Sequence, residues 1–261
     1  MAPAQLPLPF LPGRSCAAAD LVPGAANAEA RAWLSRWPDW PSGRLALWGP
    51  AGSGKSHLAA IWRMRSGARA LSGPALAALA ADAVFDEISP GGATLVEDVD
   101  RAPQGRALLH LLNAAAESGG TVLLTARTPP QRWAALWRSA LPDLASRLAA
   151  TQGAAITAPD EALVKAVLAK HLADRQVTIR PDLLSWLALR LPRDFATVAA
   201  LAEALDQAAL AAKAAITRPV AAAALASALA ATGHDPGGDP ARDDTSIETD
   251  APPSPPGVPL G

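Results

Sequence analysis

The chain has 261 residues, half of them hydrophobic, with 23 Lys and Arg against 24 Asp and Glu and one cysteine, Cys16. This is enough apolar material for one large core or two small ones, and a net charge of −1 gives no overall electrostatic footprint for nucleic acid or an anionic membrane. A single cysteine excludes an internal disulfide framework. No apolar run reaches the roughly 18–20 residues of a membrane span and no basic-then-apolar leader opens the chain, so a cytoplasmic protein is expected.

Residues 1–24 are proline-rich and patternless and are expected to form an extended tail. Within them QLPLPF, residues 5–10, places Gln5, Leu6, Leu8 and Phe10 around two prolines that fix φ and remove backbone donors. Apolar side chains on such a segment are either chance or wait for another surface to bury them. Residues 25–37 read as a short amphipathic helix, and RLALWG as a buried strand. A glycine-rich turn and a helical SHLAAIWRM follow. Further strands are expected at 68–71, 93–98, 121–126 and 154–157, with helical spacing between them in QGRALLHLLNAAAESGG. Such alternation predicts an α/β fold with a parallel sheet covered on both faces.

From Pro159 the pattern is helical only: EALVKAVLAKHLADRQ, PDLLSWLALRL, RDFATVAALAEALDQAALAAK and RPVAAAALASALAA, with Pro or Asp near three of the starts. The expected organisation is a nucleotide-binding domain over 25–158, a helical domain over 159–232, and an acidic, then proline-rich tail over 233–261 with almost nothing to bury.

GPAGSGKS carries the strongest chemical signal. Gly49, Pro50, Ala51, Gly52, Ser53, Gly54, Lys55 and Ser56 satisfy G-x-x-x-x-G-K-S between a strand and a helix. Glycines let backbone N–H groups turn toward phosphate oxygens, and the helix N-terminus faces the same anion. Lys55 is suited to the β- and γ-phosphates of ATP or ADP and Ser56 to Mg²⁺, with His57 next in the same turn. Lysine is otherwise scarce, so its presence here is informative. TLVEDVD ends a strand in Glu97, Asp98 and Asp100, which are candidates for holding Mg²⁺ (Glu97 or Asp98) and orienting water (Asp98).

The order of phosphate loop, acidic strand end, TARTPP, PDLASRLAA and a helical domain containing LPRDF resembles the AAA+ ATPases of the DnaA family, and within it the Hda group, which lacks the DNA-binding domain. The resemblance covers about residues 20–230. It implies an AAA+ core with a five-stranded parallel sheet and a small helical lid. It also implies that Arg147 reaches a neighbouring molecule's nucleotide, and that Arg193 contacts the bound nucleotide in cis. QLPLPF is similar to the hexapeptide by which Hda proteins bind the sliding clamp of DNA polymerase, so Gln5, Leu6, Leu8 and Phe10 become clamp-binding candidates. Gln5 can both donate and accept, Leu8 and Phe10 can fill an apolar pocket, and the prolines reduce the entropy lost on ordering.

The implied partners are the clamp and DnaA, self-association is compatible with the resemblance, and no sequence-specific DNA binding is expected. The implied function is regulation of replication initiation through hydrolysis of DnaA-bound ATP. Two departures bear on self-contained hydrolysis: Glu97 stands where the family usually has Asp, and no acidic residue accompanies Arg127 in TARTPP. Two rival readings are a helicase-loader-like or transposition-associated ATPase acting on single-stranded DNA, and a phosphoryl-transfer enzyme for small molecules. The first would show basic and aromatic clusters on loops, and the second a substrate signature. Neither stands out.

Overall fold

Five short, mostly apolar strands alternate with helices, and their pairing sets the architecture. The computed structural model describes residues 21–79, 91–101, 105–212 and 215–234. The hexapeptide at 5–10 and the tail beyond 234 lie outside them. Strands β1 (Arg44–Trp48), β2 (Arg69–Ser72), β3 (Ala93–Glu97), β4 (Thr121–Ala126) and β5 (Gln152–Ala155) form one parallel sheet in the order β2-β3-β4-β1-β5. Parallel strands need crossovers that cover the sheet faces, which accounts for the near-continuous apolar runs.

Successive strand residues point to opposite faces. Leu45, Leu47, Leu95 and Leu123 meet helices α1 (Ala28–Ser35) and α2 (Lys55–Ser66) in one core, where Trp40 stacks on Trp62 at 5.3 Å between ring centroids. On the other face Ala46, Val96, Val122 and Leu124 join a core that also takes residues from α3 (Gly73–Ala77), α4 (Gly105–Glu117), α5 (Pro130–Trp137) and α6 (Pro142–Ala149). Trp62 is fully buried and Trp37 packs edge-on to it.

Helices α7 (Glu161–Asp174), α8 (Pro181–Ala188), α9 (Phe195–Ala212) and α10 (Arg218–Thr232) enclose a separate apolar core that includes Leu168, Leu187, Val198, Leu201 and Leu205. Their boundaries follow local chemistry. Asp160 accepts from the Leu163 N–H at 2.7 Å as the N-cap of α7. Proline occupies the first turn of α8 and α10, where its missing donor costs nothing. Gly233 ends α10 with φ of +78°, the left-handed conformation that suits glycine.

The last strand differs from expectation, running over 152–155 rather than 154–157. Ile156 still donates to the Trp48 carbonyl at 2.7 Å, but by then the outer edge has been taken over by a side chain: the Ala155 N–H donates to Glu29 Oε2 at 3.2 Å. Helices α5 and α6 complete the face over β1 and β4 and were not anticipated as elements.

Candidate nucleotide-binding site

The loop after β1 is shaped for backbone donors. Gly52 (φ +70°) and Gly54 (φ +92°) both adopt left-handed backbone, and Gly54 caps α2, which begins at Lys55. A Cβ on Gly49 would collide with the carbonyl oxygen of Ile156, so that position admits only hydrogen. The first N–H groups of α2 have no intrahelical acceptor and face the loop. Lys55 is buried, with Nζ donating to the carbonyls of Gly49 at 2.8 Å and Pro50 at 2.6 Å. Burial pushes its pKa down, Asp98 and Asp100 oppose that shift, and Arg127 adds to it. Ser53 Oγ is buried without a partner in the same loop. An ammonium held only by neutral carbonyls and an unpartnered hydroxyl are what a phosphate group would satisfy, so the residues present fit a nucleotide. Ser56 is exposed in the first turn and His57 half-buried beside it.

The acids come together at the carboxyl ends of β3 and β4. Glu97 closes β3, and Asp98 follows with φ of +52°, its N–H donating to Thr125 Oγ1 at 3.1 Å. Asp100 accepts from the Arg127 N–H at 2.8 Å. Burial raises the pKa of Glu97, Asp98 raises it further, and Arg63 counters. Among the described residues no group of three or more His, Cys, Asp or Glu forms a metal cage. Mg²⁺ in phosphate sites takes one or two carboxylates together with phosphate oxygens and water, and Ser56, Asp98 and Glu97 carry oxygen donors of that chemistry.

The lid closes on this loop directly. Phe195 donates its backbone N–H to the Gly52 carbonyl at 2.8 Å, and its ring lies 3.3 Å from where a Gly54 Cβ would be. Arg193, two residues earlier, is exposed at this junction. Arg147 is the exception among the candidates. It sits in the last turn of α6, half-buried, where its carbonyl accepts from Thr151 Oγ1 at 2.8 Å. Thr151 leads into the amino end of β5, whereas the phosphate loop leaves the carboxyl end of β1. Five residues of strand separate those ends by about 16 Å.

Sequence reasoning missed Thr125, Asp194 and Phe195. A threonine in a strand is ordinary, and only the β3–β4 register, with Val96 opposite Leu124, brings Thr125 to Asp98. Asp194 does carry a signal, an Asp before an apolar helical run. It caps α9 by accepting from Thr197 N at 2.7 Å.

Residues 160–225 match the family model described as Hda, lid domain. Domain III of the Thermotoga maritima replication initiation protein DnaA aligns with a TM-score of 0.68 at 16% identity, over 82% of this chain and 96% of that one. A RuvB variant from the same organism gives 0.57 at 18% identity, over 77% and 66%. The replication initiator DnaA bound to AMPPCP and single-stranded DNA gives 0.51 at 13% identity, over 81% and 80%. Comparison with curated proteins gives no match. The strand order, phosphate loop and helical lid make this an AAA+ P-loop fold of the kind seen in DnaA and RuvB. The chain thus has the fold of DnaA domain III, and its helical domain matches the Hda lid.

Proposed function

We propose that this chain is a clamp-associated regulator of replication initiation that binds ADP or ATP with Mg²⁺ and promotes hydrolysis of ATP held by DnaA. The observation that carries the reading is the separation of parts: the phosphate loop and acids lie at one end of the sheet, and Arg147 at the other. An arginine so placed is out of reach of this chain's own phosphate loop, which supports a role toward a nucleotide bound by another molecule. The lid match to Hda and the DnaA-like fold point to DnaA as that molecule, and the same geometry allows a second copy of this chain.

In this reading the loop N–H groups of 51–56 bind phosphate oxygens and Lys55 leaves the Gly49 and Pro50 carbonyls for the β- and γ-phosphates. Ser56 and Asp98 or Glu97 hold Mg²⁺, which would neutralise phosphate charge, while Arg193 reaches the nucleotide from the lid. Asp98 and Glu97 are also placed to orient water. Arg147 supplies a permanently charged planar fork to the partner's phosphates. Gln5, Leu6, Leu8 and Phe10 dock the tail on the clamp, and sequence-specific DNA contact and membrane association have no part. No helix among the described residues is long and apolar enough to cross a membrane; a cytoplasmic site of action belongs to the proposal. So does the division at about 158/159, which the separate apolar cores support.

The test is phosphate release from DnaA-bound labelled ATP on clamp-loaded DNA. Acceleration by wild type, lost in both Gln5→Ala and Arg147→Ala, supports the reading. No acceleration by folded, nucleotide-bound wild type sinks it and favours a loader-like ATPase.

A further inference from the structure

Arg44 opens β1 and is 6% exposed. Its Nε is buried with no hydrogen-bond partner, and among the described residues no carboxylate lies within ion-pairing distance. A guanidinium is always charged, and folds normally pair one that is mostly buried; here Nε is sealed from solvent without a partner while the terminal nitrogens keep contact with it. The nearest charged element is itself basic. Arg44 shares a sheet face with Ala46, and that face is covered by Leu144, Ala145 and Leu148 of α6, the helix that carries Arg147. The β1–β5 register, with Leu45 opposite Gln152, sets Arg44 beside Thr151, whose hydroxyl is bonded to the Arg147 carbonyl. Burial and, after it, the Arg147 charge both depress the pKa of Arg44, as expected of two like charges sharing one site.

We infer that Arg44 and Arg147 together form an oxyanion site at the amino end of the sheet, built for the phosphate oxygens of a nucleotide presented by a partner. The inference rests on the trans role of Arg147 and adds Arg44 to it. Two planar guanidinium forks match phosphate geometry. Arg44, lying deeper, repels Arg147 outward and gains its missing counter-charge only when the anion arrives. The polyphosphate chain of ATP carries enough negative charge for both. The chain's own nucleotide cannot reach this site, since a full strand length lies between.

The experiment uses the full chain with Lys55→Ala, which weakens its own phosphate loop, and inorganic tripolyphosphate as the probe in titration calorimetry. One binding event is expected, weakened at least tenfold by Arg44→Met and by Arg147→Ala and partly kept by Arg44→Lys. Thermal melts accompany each variant. Arg44→Met removes an unpaired buried charge and should melt no lower than its parent, and Arg44→Lys provides a second folded variant. Absence of tripolyphosphate binding, or binding that neither Arg44 variant changes, overturns the site. The companion assay of partner ATP hydrolysis separates the two claims. If Arg147→Ala leaves that hydrolysis unchanged the trans reading fails, whatever the calorimetry says; if only Arg44→Met behaves as wild type in both assays, Arg44 alone is excluded.

Discussion

The backbone N–H of Phe195 donates to the carbonyl of Gly52 at 2.8 Å, so the lid is tied to the phosphate loop by main chain rather than by side-chain contacts alone. Asp194 holds that bond in place. It accepts from Thr197 N at 2.7 Å and from Thr197 Oγ1 at 2.8 Å, fixing the start of α9, and its Cβ stands 2.8 Å from where a Gly52 Cβ would be.

Removing the cap should therefore act on both parts. Asp194→Ala is expected to lower stability by about 0.5–2 kcal/mol, the range for loss of an N-cap, and to weaken nucleotide binding as well. Asp194→Asn, still an N-cap, should recover most of both. Chemical denaturation and titration with ADP measure the two effects.

Lys55 now satisfies backbone carbonyls, and a nucleotide would draw it to phosphate instead. Lys55→Ala removes charge-assisted hydrogen bonds worth about 1.5–3 kcal/mol, so ADP and ATP affinity should fall by roughly 10- to 150-fold. The orphaned Ser53 hydroxyl is a weaker contributor, and Ser53→Ala should leave stability nearly unchanged. Calorimetry with each nucleotide decides.

These two predictions rest on parts of unequal legibility. The phosphate loop could be read from sequence because strand, turn and helix are contiguous there, and each glycine answers a local need. The lid helices were legible for the same reason, since apolar spacing, proline and aspartate act within a few residues. Long-range facts were not. Thr125 matters only through the register of β3 on β4, and Arg44 looks like a solvated strand end although the fold leaves it 6% exposed. The helices α5 and α6 did carry a signal in Pro130 and Pro142, each in a first turn, that went unused.

Glu97 has its pKa raised, chiefly by burial and then by Asp98. Folding therefore disfavours its ionised form. The resulting penalty is absent below the unfolded value, taken as 4.5, develops as pH rises through the folded pKa, and persists at neutrality. Glu97→Gln should thus melt higher than wild type at pH 7–8, and the two should converge near pH 4. A wild type that gains on the variant as pH rises would contradict this assignment. Melts without nucleotide across that range provide the comparison.

The clamp-docking proposal makes a separate prediction. Leu21, where the described chain begins, packs against the core of α1 and α2, so the tail has a fixed root. Phe10→Ala is expected to cost about 2 kcal/mol of clamp affinity, as for a buried aromatic anchor, a loss of roughly 30-fold. Nucleotide binding should be untouched. Surface plasmon resonance on immobilised clamp reads the first quantity and ADP titration the second.

With a phosphate loop at the carboxyl end of β1 and Arg147 by the amino end of β5, the two ends of the sheet are unlike. An assembly in which the Arg147 end of one molecule meets the phosphate-loop end of the next, and its other end remains free, is head-to-tail and has polarity. A chain of these molecules would expose a nucleotide at one terminus and an arginine at the other. If Arg147 acts in trans as proposed, only one of the two head-to-tail orders of a mixed pair would put it on the partner's nucleotide, so the direction of docking, as much as its strength, would decide whether an encounter is productive.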